Sequence, residues 1–268
     1  KITDLGMTPY NYDRFSRLIK VPQGVMLVTG PTGSGKTTTL YAALGELAKP
    51  NVNVITVEDP VEKNIEGINQ CQVNAKAGMT FAAALRSILR QDPDIVMVGE
   101  MRDQETAEIA IRAAITGHMV LSTLHTNDAA STITRLVDMG VAPYMVATSL
   151  IGIVAQRLCK VVCNECKTPR MSTPEENELL GITESATIYD ACGCPKCNNT
   201  GYTGRTAIHE ILLCTHEMAS LIAADGKVDA ISSLAKEQGC KLLRDNVAEL
   251  VLEGRPTLDE LVKLTFAV

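Results

Sequence analysis

The 268-residue sequence predicts an α/β protein with a mostly parallel sheet covered by helices on both faces. Two observations carry this. Short β-rich runs alternate with longer helical ones from Val25 to Leu124. A full phosphate-loop pattern, G-x-x-x-x-G-K-[ST], occupies Gly30-Pro31-Thr32-Gly33-Ser34-Gly35-Lys36-Thr37, directly after the apolar run Val25-Met26-Leu27-Val28. Strand, glycine-rich turn and helix in this order turn successive backbone N–H groups, and the positive end of a helix, toward one anion.

Taken in order, residues 1–20 read as the end of a linker from a domain further N-terminal, with a turn-like Met7-Thr8-Pro9, so the chain is expected to be a fragment. The strand at Val25 and a helix from Thr37 to Ala48 flank the phosphate loop. Further strands are expected at Val52 to Val57, Asp94 to Val98 and Met119 to Leu124. Asp103 can cap a helix over Glu105 to Thr116 that stops at Gly117. Thr126 or Asn127 can cap the next helix, which carries Ile133, Leu136 and Val137 on one face and ends at Gly140. Residues 21–158 are assigned to this core. A cysteine-, proline- and asparagine-rich stretch cannot continue the sheet pattern and defines a lobe over 159–204. Residues 205–268 are expected to form a helical subdomain, with Leu242, Leu243, Val247, Leu250 and Val251 at helical spacing. Gly254 is its expected stop, and Thr257-Leu258-Asp259-Glu260 a following capping box.

A formal charge of −6, three Phe and no Trp argue against a nucleic-acid surface, which needs basic patches and stacking aromatics. No window approaches the apolar length of a spanning helix and no basic-then-apolar signal opens the chain, so a cytoplasmic location is expected.

The residue types along the core point to phosphate chemistry. Lys36 is placed to neutralise the β- and γ-phosphates of a nucleoside triphosphate, and Thr37 to ligate Mg²⁺ beside them, with Thr38 next on the helix. Glu58-Asp59-Pro60-Val61-Glu62 clusters three carboxylates at the end of a strand, where open α/β sheets hold their ligands; Glu58 is the candidate to meet Mg²⁺ or the attacking water. Glu100 closes another strand at the same edge and is the candidate to orient that water. His125 emerges at that edge too, positioned to touch the γ-phosphate, while His118 lies at the opposite end of its strand.

Cys163-Asn164-Glu165-Cys166 and Cys194-Pro195-Lys196-Cys197 are two C-x-x-C knuckles, a pattern suited to a closed tetrahedral Zn²⁺ site with a structural role. Cys159 and Cys192 are close enough in sequence to substitute as ligands. Cys71, Cys214 and Cys240 have no partner spacing and read as buried small hydrophobes.

Four segments together resemble one family, the ATPases of type II secretion and type IV pilus assembly. The phosphate loop running into Thr38-Thr39-Leu40-Tyr41 looks like its Walker A motif, and Thr56 to Glu62 like its Asp box. Gly99-Glu100-Met101-Arg102-Asp103-Gln104-Glu105-Thr106-Ala107 looks like its atypical Walker B, and Thr116 to Asp128 like its His box. The resemblance implies a RecA-like core that uses ATP and Mg²⁺, and a homo-hexameric ring at the inner membrane acting on a platform protein. It gives Lys36 and Thr37 the phosphate and Mg²⁺, puts Glu58 and Glu62 at the site rim, has Glu100 support hydrolysis, makes His125 a nucleotide sensor, and carries a nucleotide role over to His118 as well. Arg86 and Arg90 are expected to face either a neighbouring subunit or solvent. It also implies an N-terminal domain supplying arginines in trans. A tetracysteine lobe is typical of the assembly and secretion members rather than the retraction ATPases. Two other readings stand beside this one: a nucleic-acid motor of the same core, and a nucleotide-dependent interaction module.

Overall fold

The computed structural model describes residues 1–266. Its strands are β1 (Gly24–Thr29), β2 (Val54–Glu58), β3 (Asn69–Gln72), β4 (Ile95–Val98), β5 (Met119–Leu124), β6 (Leu150–Val162), β7 (Thr168–Met171), β8 (Thr187–Asp190) and β9 (Tyr202–Leu213). Seven of them form one sheet in the order β3-β2-β4-β5-β1-β6-β9, and β7 and β8 form a separate hairpin. Pairings in the large sheet are parallel except the last, where β9 runs antiparallel to β6. This is the α/β fold that the alternating pattern predicts.

Strand alternation divides the core in two. In β1, Val25 and Leu27 enter one hydrophobic cluster, while Met26 and Val28 enter the other. The second cluster is covered by α1 (Pro9–Leu18) and α2 (Lys36–Leu47), through Phe15, Leu18, Leu40 and Leu44. The first is covered by α3 (Phe81–Ile88), α4 (Gln104–Ile115), α5 (Ala129–Asp138) and α6 (Pro143–Ser149). The lobe contributes α7 (Pro174–Leu180); α8 (His216–Ala223) and α9 (Val228–Glu237) then return to the face of α6. A third cluster joins Leu180 and Ile188 of the lobe to Cys159 and Ile208 of β6 and β9, and to α10 (Leu243–Leu252) and α11 (Leu258–Phe266).

Several expectations are corrected. Residues 1–20 carry more structure than a turn at Met7-Thr8-Pro9: the Oγ1 of Thr8 caps α1, Pro9 occupies its first turn, and Phe15 is fully buried. The chain past Ile208 is not helical at once, because Ile208 to Leu213 complete β9, so a boundary at 205 falls inside a strand. β3, β6 and most of β9 carry mixed or continuous patterns that alternation alone does not expose. Asp128, rather than Thr126 or Asn127, caps α5, its carboxylate accepting from Ser131 N. The expected capping box at Thr257 gives way to a tertiary bond, since the Glu260 carboxylate accepts from Lys160 N, with Lys263 Nζ of the same helix as its second donor.

Two titratable side chains of β9, His209 and Glu210, are buried beside the antiparallel edge. Glu210 holds two helix starts at once, accepting from Ala129 N at α5 and Leu243 N at α10; burial raises its pKa. His209 is 1% exposed and its Nε2 has no hydrogen-bond partner, so burial pushes its pKa down to about 4. Unfolding frees this imidazole to protonate at its ordinary value. Stability is therefore fully present above about pH 6.5 and falls by up to about 3 kcal/mol as the pH drops to about 4. Urea titrations across that window should show the slope, and His209→Leu should flatten it by one proton.

Candidate functional site

Parallel strands deliver their C-terminal ends to one edge, and there the chain builds a cavity of about 470 Å³. Its lining includes Thr32 to Thr38 of the phosphate loop and α2, Glu58, Asp59 and Glu62 after β2, Glu100 after β4, and His125 after β5. The loop's path is set by close approach. A Cβ on Gly30, at φ +145°, would lie 2.3 Å from Gln156 O, and one on Gly35, at φ +87°, 2.9 Å from Gln156 Nε2. The Lys36 ammonium donates to the carbonyls of Gly30 at 2.8 Å and Pro31 at 3.1 Å. Burial lowers its pKa and the nearby Glu100 opposes that shift.

The carboxylates are each committed. Glu58 is 3% exposed and accepts from Thr56 Oγ1, Gln70 Nε2 at 3.0 Å and the Tyr41 hydroxyl. Tyr41, on α2, also accepts from Glu62 N at 3.2 Å, and desolvation, helped by Glu58, pushes its pKa up to about 12. The same Glu62 accepts from Thr37 Oγ1 at 3.1 Å, which orients that hydroxyl's lone pairs away from the carboxylate and into the cavity. Glu100 is ion-paired with Arg102, whose pKa it raises chiefly through that hydrogen bond, and lies 3.6 Å from His125 Nε2.

The structure thus gathers the phosphate loop, Glu58, Glu62, Glu100 and His125. It does not bring His118 there: that ring bonds Ala113 O at 2.9 Å, at the N-terminal end of β5. Arg86 pairs with Glu105 of α4 at 2.5 Å, and Arg90 is exposed. Tyr41, Gln70, Arg102, Gln156 and Arg205 escaped sequence reasoning as site residues. Tyr41 lies one turn past Thr37 on α2 and Arg102 two residues past Glu100, so both are within reach of the motif residues in the sequence itself. Gln156 and Arg205 sit on strands with no motif of their own.

Cys163, Cys166, Cys194 and Cys197 place their sulfurs within 4.8 Å of one another, with pairs at 3.8 and 3.9 Å. A tetrahedral ion bound at about 2.3 Å by four sulfurs needs them about 3.8 Å apart. Backbone amides of Gly193, Cys194 and Gly201 donate to the sulfurs of Cys166 and Cys197 at 3.1 to 3.2 Å, as thiolates require. The donor set fits Zn²⁺. Cys192 is exposed against Thr168, and Cys159 is buried in the third core, where desolvation pushes its thiol up to about 12; neither joins the four. Cys240 is buried as expected, whereas Cys71 and Cys214 are only partly so.

A phosphate loop between a central parallel strand and a helix, with acidic residues closing β2 and β4 at the same edge of the sheet, defines the phosphate-loop class of nucleotide-binding folds. Sequence comparison narrows this class: residues 1–263 match the family described as Type II/IV secretion system protein, and the chain belongs to it. It is 50% identical over 97% of its length to the type II secretion system ATPase E of Vibrio cholerae, spanning 52% of that protein. It is 49% identical over 99% of its length to the type IV pilus assembly ATPase PilB of Thermus thermophilus, spanning 30% of it. The chain thus covers about half or less of these relatives. The crystal structure of the pilus retraction motor PilT with bound ADP superposes with a TM-score of 0.75 at 30% identity, covering 98% of this chain and 66% of that one. Among the described residues no helix is long and apolar enough to cross a membrane.

Tyr41→Phe tests the network, since it leaves Glu58 one donor short and Glu62 N without its acceptor. The variant should lose about 1–3 kcal/mol, read as a lower urea midpoint at unchanged slope.

Proposed function

We propose that this chain is the ATP-hydrolysing part of a motor subunit that powers pilus or pseudopilus assembly. The observation that carries the reading is the convergence, in one cavity, of Lys36, the Thr37–Glu62 pair, buried Glu58 and the Glu100–Arg102–His125 group. The amides of the loop and Lys36 take the β- and γ-phosphates of ATP. Thr37, with its proton held by Glu62, would offer a lone pair to Mg²⁺, and Glu58 would hold water around that ion. The ion supplies neutralisation of phosphate charge when bound. Glu100 accepts a hydrogen bond from the attacking water, Arg102 holds that carboxylate in place through their ion pair, and His125 is placed to register the γ-phosphate.

By the same reading the four cysteines hold a structural Zn²⁺. Six copies form a ring in the cytoplasm that reaches the inner membrane through a platform protein, as the family relationship suggests. The acidic charge and scarcity of aromatics disfavour a nucleic-acid motor.

Lys36→Ala should weaken MgATP binding by about tenfold to a hundredfold in a fluorescent-nucleotide titration, since it removes a charge-assisted contact. Glu100→Gln should bind MgATP normally yet hydrolyse it about a hundredfold or more slowly. Normal turnover in that variant would move the catalytic carboxylate elsewhere and favour a binding module if Lys36→Ala alone abolished function. Cys194→Ser should lose the metal and lower the melting temperature, because binding energy at such a site is folding energy; a wild-type protein free of zinc by elemental analysis refutes the metal assignment. Placing Lys36→Ala in the source cell and scoring surface pili and secreted proteins in parallel separates the two pathways.

A further inference from the structure

Gln156 lies in the middle of β6, outside every motif, and is 2% exposed. A buried primary amide must place two donors and an acceptor. Here Nε2 donates to Ser34 O at 2.7 Å, and Oε1 accepts from Thr39 Oγ1 at 2.6 Å. One partner is the carbonyl at the centre of the phosphate loop; the other is one turn into α2, itself 0% exposed. The backbone of the same residue sets the loop's entrance, since its carbonyl lies where any Cβ on Gly30 would fall.

The loop has few other holds. The side chains of Thr32 and Thr38 face solvent, and the Ser34 hydroxyl is buried without a partner. Lys36 is committed to ligand phosphate on the nucleotide-site reading, and its bonds to Gly30 O and Pro31 O do not reach the stretch from Thr32 to Gly35. A loop whose amides must converge on an anion gains affinity only when they are held in that geometry beforehand.

We propose that Gln156 is a positioning residue for nucleotide binding: its side-chain amide clamps the phosphate loop to α2 and to the sheet, so that the loop amides face the phosphates before nucleotide arrives. The inference rests on the nucleotide-site reading. It makes the polarity of the side chain decisive, as the Ser34 carbonyl requires a donor and the Thr39 hydroxyl an acceptor.

Gln156→Glu keeps the shape and puts that polarity under pH control. Ionised, the carboxylate meets Ser34 O with acceptor against acceptor. Protonated, its O–H donates to Ser34 O while the other oxygen accepts from Thr39, which restores the clamp. Burial and the neighbouring carbonyl raise the pKa of such a carboxyl into the neutral range. Among the elements packed against β6, β1 brings no titratable side chain, α2 brings Lys36, Tyr41 and Glu46, β9 brings Tyr202, Arg205, His209 and Glu210, α1 brings Tyr10, Tyr12, Asp13, Arg14 and Arg17, α5 brings Arg135 and Asp138, and α10 brings Arg244, Asp245 and Glu249. All are present in both proteins, so their titration cancels in a ratio of affinities.

The experiment is a fluorescent MgATP titration of this chain and its Gln156→Glu and Gln156→Leu variants from about pH 5.5 to pH 8.5. Relative to wild type, Gln156→Glu should bind about tenfold or more weakly at the alkaline end and return to within about threefold at the acid end. Gln156→Leu should be weak throughout. In Gln156→Leu, hydrogen exchange should speed up in peptides covering 30–39 and not in those covering β4 or β5. A constant ratio for Gln156→Glu overturns the proposal, as does wild-type affinity in Gln156→Leu. If Gln156→Glu does not fold, Gln156→Leu decides through its affinity and its exchange pattern. Wild-type protein that binds no MgATP refutes the nucleotide site and the clamp together, whereas wild-type binding with unaffected variants refutes the clamp alone.

Discussion

Everything at the site depends on β1 being a central parallel strand. Buried on both faces and flanked by β5 and β6, it cannot shift without disturbing both hydrophobic clusters. Parallel pairing then sends the C-terminal ends of β1, β2, β4 and β5 to the same edge, so the phosphate loop, Glu58, Glu100 and His125 meet although up to 95 residues separate the outermost of them along the chain. The chemistry is placed by register, and register is fixed by which side chains must be buried.

Within that frame the acidic residues are held by hydrogen bonds that leave little to rearrange. Three carboxylates near a phosphate site repel one another and the ligand, so each needs donors of its own. Glu58 draws them from Thr56, Gln70 and Tyr41, Glu62 from Thr37, and Glu100 from Arg102. The donors come from α2, β2, β3 and the turn after β4, which makes the network a brace between elements as well as a set of ligands. Tyr41 shows the economy of this arrangement: one hydroxyl serves a buried carboxylate and the backbone of the acidic loop together.

The sequence made the local features readable and left the long-range ones hidden. The phosphate loop, the four core strands and the Asp103 cap are written in contiguous residues, where turn chemistry and periodicity act directly. The C-x-x-C knuckles are equally local, and the structure resolves their register by burying Cys159 in the third core and leaving Cys192 exposed. What escaped is set by partners far away in the chain. Glu260 looked like half of a capping box and serves Lys160 instead, 100 residues distant. Gln156 meets Ser34 across 122 residues, and no pattern around it announces that. The first helix is hidden for a different reason: Thr8-Pro9 reads as a turn, although a hydroxyl followed by proline is also how a helix begins.

The cysteine cluster and the phosphate loop share the same two strands. β6 carries Gln156 against the loop and ends one residue before Cys163, while β9 begins five residues after Cys197 and carries Arg205 to the cavity. Seven residue steps along the strand separate Gln156 from Cys163, a span of about 23 Å, so the cluster cannot touch bound phosphate. Its physical effect falls on strand ends. Cys163 N donates to Gly201 O at 2.8 Å, extending the β6–β9 ladder to the cluster itself, and Val162 N donates to Arg255 O beyond α10. An antiparallel pair at the open edge of a sheet would otherwise fray from this end, because among the described residues β9 has no further strand beside it. Fastening both strands at their far ends, and packing α10 and α11 against them, keeps the inner stretch in register. That stretch holds Gln156 opposite His209, and the edge strand thereby supports the central one on which the phosphate loop is built.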